Sequence, residues 1–201
     1  MGTLRRKVQT AAAAVLLVAS PAAAQDTPRG LTVVSEGERA GFWAGFGIGA
    51  GGESFDLRNG AGYSSELYRP TVSLRLGGTV NRRLRLGGEV LSWIDERGDA
   101  VESLTSFLFI GQLYPLSTAG LYLKGGAGLG RNAVDFDFGQ GIGDTGFAGL
   151  LGAGWELRVG RRFYLNPAVD LVEHRYGGRA GEGYRERLVN LSLGVLFQSG
   201  R

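Results

Sequence analysis

The chain has 201 residues, with 22 Lys plus Arg against 19 Asp plus Glu for a net charge of +3, one histidine, no cysteine and 36 glycines. Without cysteine it can hold no disulfide, thiol nucleophile or thiolate metal site. Glycine at roughly 18%, against an ordinary 7% or so, lacks both collagen's three-residue period and the Pro/Ser-rich bias of disordered chains, which excludes both.

Residues 1–24 open with Arg5, Arg6 and Lys7, continue through an apolar run from Ala11 to Ala19 and close on Ala22-Ala23-Ala24. That is the layout of a secretory signal peptide, and the apolar run is too short to span a bilayer. Cleavage is expected before Gln25, which leaves an exported chain. All three charges in the leader are basic, so 22 − 3 = 19 cations face 19 carboxylates in the remainder. A near-neutral chain gives no reason to expect a nucleic-acid partner. Residues 25–40 read as a periplasmic N-terminal segment, and the remaining chain suits one domain.

From residue 41 onward the sequence alternates with period two, the signature of strands. In "GFWAGFGIGAGG", Phe42, Ala44, Phe46, Ile48 and Ala50 fall on one face and Trp43, Gly45, Gly47, Gly49 and Gly51 on the other. The embedded G-x-G-x-x-G at Gly47–Gly52 mimics a dinucleotide loop, but such a loop needs a strand-to-helix turn and a helix after it. Here the glycines keep strict alternation within one strand, and a polar loop follows.

Seven more segments repeat the pattern: "RPTVSLRLGGTV", "LRLGGEVLSW", "LTSFLFIGQLYP", "LYLKGGAGLG", "GFAGLLGAGWELRV", "FYLNPAVDLVEH" and "RLVNLSLGVLF". Their links near residues 81, 117 and 161 are short, while those at about 53–67, 95–103, 131–145 and 173–186 are expected to be long polar loops. Eight alternating strands with short turns on one side and long loops on the other describe an all-β, antiparallel, up-and-down transmembrane barrel. Residues 103–123 carry no charge, but Gly111, Gln112 and Pro115 break the run and its halves alternate, which argues against a membrane helix. A soluble eight-stranded barrel would turn its apolar face inward and need a charged exterior. In this chain the continuous apolar face lies opposite glycine, Ser, Thr, Asn, Arg, Lys and Glu.

The leader, the "GFWAGFGIGAG" first strand, the "LYLKGGAGLG" fifth strand and the "LVNLSLGVLF" last strand together resemble the small eight-stranded bacterial outer-membrane β-barrel family, with OmpA-, OmpX- or OmpW-like barrel domains. The resemblance covers residues 41–198. It implies a location in the bacterial outer membrane, lipid and lipopolysaccharide contacts, insertion by the barrel assembly machinery and no cofactor; a monomer is expected. Family members usually end on an aromatic residue that this machinery reads, whereas here Phe197 is followed by Gln-Ser-Gly-Arg.

If Asn81, Arg82 and Arg83 form a turn, Val80 pairs with Leu84 and Arg75 comes opposite Glu89 on the lumen face. An interior this narrow is filled by side chains, so an ionic network of Arg75, Glu89, Arg85, Lys124, Glu156, Arg158 and Asp170 is expected to plug it. A gate or proton path is the functional alternative. Arg175, Arg179, Arg185 and Arg187 lie where lipopolysaccharide phosphates would be. Trp43, Tyr114, Tyr122, Trp155, Phe163 and Tyr164 are expected in an inner aromatic girdle, with Tyr68 and Trp93 in an outer one.

Some small outer-membrane barrels modify lipid A through a histidine base beside a serine. The single histidine, His174, has Tyr176 two residues on and Asp170 about 13 Å away along the strand. It is expected to be a solvent-exposed loop residue. Asp135, Asp137 and Asp144 in "DFDFGQGIGDTG" lack the spacing of a calcium loop and are expected to be solvated. The sequence therefore favours a non-catalytic barrel with four surface loops, with a narrow solute channel and a lipid A enzyme as alternatives.

Overall fold

The computed structural model describes residues 32–33, 39–57, 62–98, 100–116, 119–136, 141–177 and 183–200. The proposed leader, Asp137 and Arg179 lie outside the described residues. Eight long strands follow one another: β1 Phe42–Asp56, β2 Leu67–Asn81, β3 Leu84–Arg97, β4 Ala100–Leu113, β5 Leu121–Phe136, β6 Ile142–Trp155, β7 Phe163–Tyr176 and β8 Tyr184–Gln198. Each pairs antiparallel with its neighbours in sequence, and β8 pairs with β1 from Arg185↔Asp56 to Gln198↔Trp43. The sheet is thereby closed and has no free edge along these strands, which satisfies the backbone in hydrocarbon. The uncharged run 103–123 is divided between β4 and β5.

The pleat sorts the side chains. Phe46, Ile48, Leu74, Phe109, Leu151, Leu191 and Leu193 point outward and are about half to two-thirds exposed. On β8 this apolar row runs from Val189 to Phe197, eight steps or about 27 Å along the strand and roughly 20 Å after a tilt near 40°, most of the about 25 Å height of an outer-membrane apolar belt. Inward-facing positions carry small, polar or fully buried groups.

Three features depart from the sequence reading. The outer ends of the strands run further than expected: Arg97 pairs with Ala100, so β3 and β4 join through residues 98–99, with Gly98 at φ 58°. The expected long loop at 95–103 is therefore a tight turn on a projecting hairpin, and glycine supplies its left-handed backbone without steric cost. At the inner end, Asn81 rather than Val80 pairs with Leu84. The register shifts between Thr79 and Asn81, leaving Val80 as the extra residue of a bulge, so that Thr79 meets Arg85 and Arg75 meets Glu89. The third departure is in the sixth segment, whose strand pairing stops at Trp155. Glu156 turns inward, and Leu157–Arg158 forms a separate short strand against Leu165–Tyr164 and Thr32–Val33.

Candidate functional site

The lumen is built in layers. At the inner end, Arg85 on β3 donates through Nη1 to Glu156 Oε1 at 2.5 Å and to the Tyr114 hydroxyl at 3.0 Å, and through Nη2 to Gln198. Tyr114 donates to the same Glu156 oxygen at 2.6 Å. Burial first, and then the Glu156 carboxylate, pushes this phenol well above its ordinary range, so it remains a donor. Arg39 closes the floor, with its guanidinium 3.8 Å above the Tyr114 ring and bonded to the Ala119 carbonyl. The Trp43 indole lies within the same layer, in a slot made by Gly77 and Gly87: a Cβ on either would stand 2.7–2.8 Å from Trp43 Cζ2.

One layer outward, Arg75 donates to the Tyr122 hydroxyl at 3.2 Å and to Asn166 Oδ1 at 2.6 Å. Although Arg75 and Glu89 are register partners, the Glu89 carboxylate is held by Lys124 Nζ at 2.8 and 3.0 Å, and Lys124 also pairs with Asp170 at 2.9 Å. The expected direct Arg75–Glu89 pair is replaced because Lys124, reaching in from β5, places its compact ammonium between the two carboxylates while Arg75 is engaged by Tyr122 and Asn166. All four charges are at most 3% exposed. Two cations against two carboxylates leave the layer neutral, the condition for burying such groups.

Above the ions lies an apolar layer that includes Leu91, Leu108, Ile110, Leu150, Val172 and Leu188, all buried. Further out, Ser106 on β4 and His174 on β7 approach to 2.8 Å, Oγ to Nε2. His174 is fully buried, contrary to its expected place in a loop, because β7 continues through Tyr176 and keeps residue 174 on the lumen face. Its space is provided by Gly130, where a Cβ would collide with the imidazole. The Nδ1 atom has no hydrogen-bond partner, and Asp170 is engaged by Lys124. A nucleophile–base pair needs an orienting group and access to substrate. This pair faces inward, whereas acyl chains of a lipid would lie outside the wall.

Several expected positions are corrected. Trp43, Trp93, Tyr114, Tyr122 and Tyr164 are at most 2% exposed and belong to the lumen, not to a girdle. For three of them the polar tip explains the choice: Trp93 donates to the Gly51 carbonyl at 3.0 Å, and Tyr114 and Tyr122 hold the two arginines. Tyr68, Trp155 and Phe163 do face outward, joined by Phe42 and Phe147. Arg158 is half-buried beside the inner mouth and donates to the Gly160 carbonyl at 3.1 Å instead of joining the ion layers. Of the outer arginines, Arg175 is paired with Glu173 at 2.9 Å and Arg185 with Asp56 at 2.7 Å; the Arg187 guanidinium lies 4.1 Å from the centre of the Tyr63 ring.

Arg39 and Gln198 were not expected in the interior, and Gln112, Asn166 and Ser106 were expected there without a role. Parity pointed to Gln112, Asn166 and Ser106, each on the lumen face of its strand, while Arg39 precedes the first strand and left no periodic signal. Among the described residues no group of three or more His, Asp or Glu side chains could hold a metal ion.

A family model described as outer membrane protein beta-barrel domain matches residues 10–197. Neisserial surface protein A is similar in structure at 16% identity, with 80% of this chain and 98% of that chain covered and a TM-score of 0.61. The attachment invasion locus protein Ail of Yersinia pestis matches at 14% identity over 79% and 99% of the two chains, with a TM-score of 0.49. No curated protein matches the chain.

Proposed function

The chain belongs to the outer membrane protein beta-barrel domain family and lies in the bacterial outer membrane, and from that premise we propose that it is a non-catalytic barrel with a closed lumen, acting through its outer end as a structural or surface-interaction protein. The observation that carries this reading is the stacking of the neutral Arg75–Lys124–Glu89–Asp170 layer beneath the apolar layer around Leu91, Leu108 and Val172. A hydrated ion would have to displace paired charges and then cross a dry layer, both costly. Planar-bilayer recording tests this: the folded protein should give no steady conductance, and regular single-channel steps would favour the narrow solute channel instead.

Partners follow from the outer wall and from the last strand. Arg187 lies against the Tyr63 ring and, unlike Arg175 and Arg185, forms no ion pair with a carboxylate among the described residues, which makes it the outer arginine proposed to meet a lipopolysaccharide phosphate. Arg187→Ala should weaken lipopolysaccharide binding to the purified barrel, and unchanged binding would remove that contact from the proposal. The assembly machinery is proposed to read Phe197 with Gln198 still inside the strand. Phe197→Ala should then slow insertion in cells while leaving refolding in detergent unaltered; equal insertion would count against it.

A further inference from the structure

Beyond the Ser106–His174 pair the barrel opens into a vestibule of about 670 Å³. Among the described residues its lining includes five carboxylates, Glu53, Glu66, Glu102, Asp144 and Glu186, against one guanidinium, that of Arg97. The charges are not arranged to cancel one another. Asn132 Nδ2 bridges Glu186 Oε1 at 2.6 Å and Glu102 Oε1 at 3.3 Å, holding two carboxylates on one amide. Glu186 is only 4% exposed and lines this space, and its Oε2 has the neutral Tyr176 hydroxyl beside it but no cationic partner among the described residues. A buried carboxylate oxygen left in this state marks a place where a cationic donor is missing.

The form of the cation follows from the remaining wall. Phe55 and Leu57 sit on the lumen side of β1 and just past its end, and are 46% and 56% exposed within the vestibule, away from the lipid belt. Tyr184 adds an aromatic ring donating to Asp144 at 3.2 Å. Apolar and aromatic side chains thus stand among the carboxylates, and among the described residues no three acidic groups converge as metal ligands. A single metal ion matches neither property. A linear chain of ammonium groups separated by methylenes matches both, each ammonium meeting a carboxylate while its methylenes cover apolar surface. The geometry points to the outer vestibule as a binding site for linear aliphatic polyamines, with Glu102 and Glu186 as its principal anionic contacts.

Isothermal titration calorimetry of the folded chain in zwitterionic detergent at low ionic strength tests this, with spermidine as the probe. Saturable one-to-one binding is expected, weakened roughly tenfold by Glu102→Gln and by Glu186→Gln, the loss expected for one charge-assisted hydrogen bond. Glu173→Gln, on the outer wall, should bind as the unaltered protein does. Heat-dependent gel migration identifies folded variants, and Glu53→Gln carries the same expectation should Glu186→Gln fail to fold. Absence of saturable heat, retention of full affinity in the Glu102→Gln/Glu186→Gln double variant, or displacement of spermidine by an equal concentration of calcium would each overturn the assignment.

Discussion

Replacing Lys124 with methionine removes one charge from the centre of the barrel while keeping most of the side chain's length. Its Nζ contacts Glu89 at 2.8 and 3.0 Å and Asp170 at 2.9 Å, and the three side chains are 0%, 1% and 2% exposed. The substitution would leave two carboxylates facing each other in a dry interior, a change that costs about 3–5 kcal/mol when one partner of a buried pair is lost. Arg75 interacts electrostatically with both Glu89 and Asp170 and remains in place, which puts the expected loss near the lower bound, about 3 kcal/mol. Urea unfolding in lipid vesicles, followed by tryptophan fluorescence and gel migration, would register this as a lower midpoint at unchanged slope. The triple variant Lys124→Met/Glu89→Gln/Asp170→Asn should recover more than half of the loss, because no uncompensated charge remains. An unaltered midpoint in the single variant would refute the reasoning, as would a triple variant no more stable than the single one, since the cost would then be packing alone.

Gly77→Ala places a Cβ against Trp43 and the facing backbone and should destabilise by about 1–3 kcal/mol with a changed tryptophan emission, whereas Gly78→Ala, with nothing within 4 Å, should be silent in both. Leu191→Arg, at a position 69% exposed in the middle of β8, should cost about 2–4 kcal/mol in vesicles and far less at the strand's outer end. A flat dependence on depth would speak against the assigned belt. Ser106→Ala strands the His174 Nε2 atom and should cost about 1–3 kcal/mol while leaving the mass spectrum of co-expressed lipid A unaltered. A mass change lost in this variant would restore the enzyme reading.

Alternation carried most of the architecture. Leu191 and Leu193 against Asn190 and Ser192 define inside and outside without any tertiary information, and counting from one turn was enough to place Arg75 across from Glu89. The same parity already placed Trp43, Trp93, Tyr114, Tyr122 and Tyr164 on the lumen face; assigning them to a girdle followed their nearness to strand ends and overrode it. What parity cannot supply is contact across the lumen. Ser106 and His174 are 68 residues apart on β4 and β7, with two strands between them. Their meeting depends on curvature and on the stagger accumulated around the closed sheet. Lys124 reaching Glu89 and Asp170 has the same origin. Glu156 was legible as a lumen carboxylate from its parity with Gly152 and Gly154, but its partner Arg85, 71 residues away on β3, was not.

The bulge at Val80 separates two kinds of length. Without it, moving the β2–β3 turn by one residue would rotate every downstream side chain to the opposite face, exposing Arg85 and Glu89 to lipid and burying Leu86. With one unpaired residue next to the turn, the ladder from Thr79↔Arg85 outward is independent of where the chain reverses. The inner rim therefore works as a slip joint: turns there can be lengthened, shortened or exchanged for another sequence while the charge layers above keep their alignment. That makes the 79–84 corner a natural position at which to graft an unrelated periplasmic segment onto the barrel.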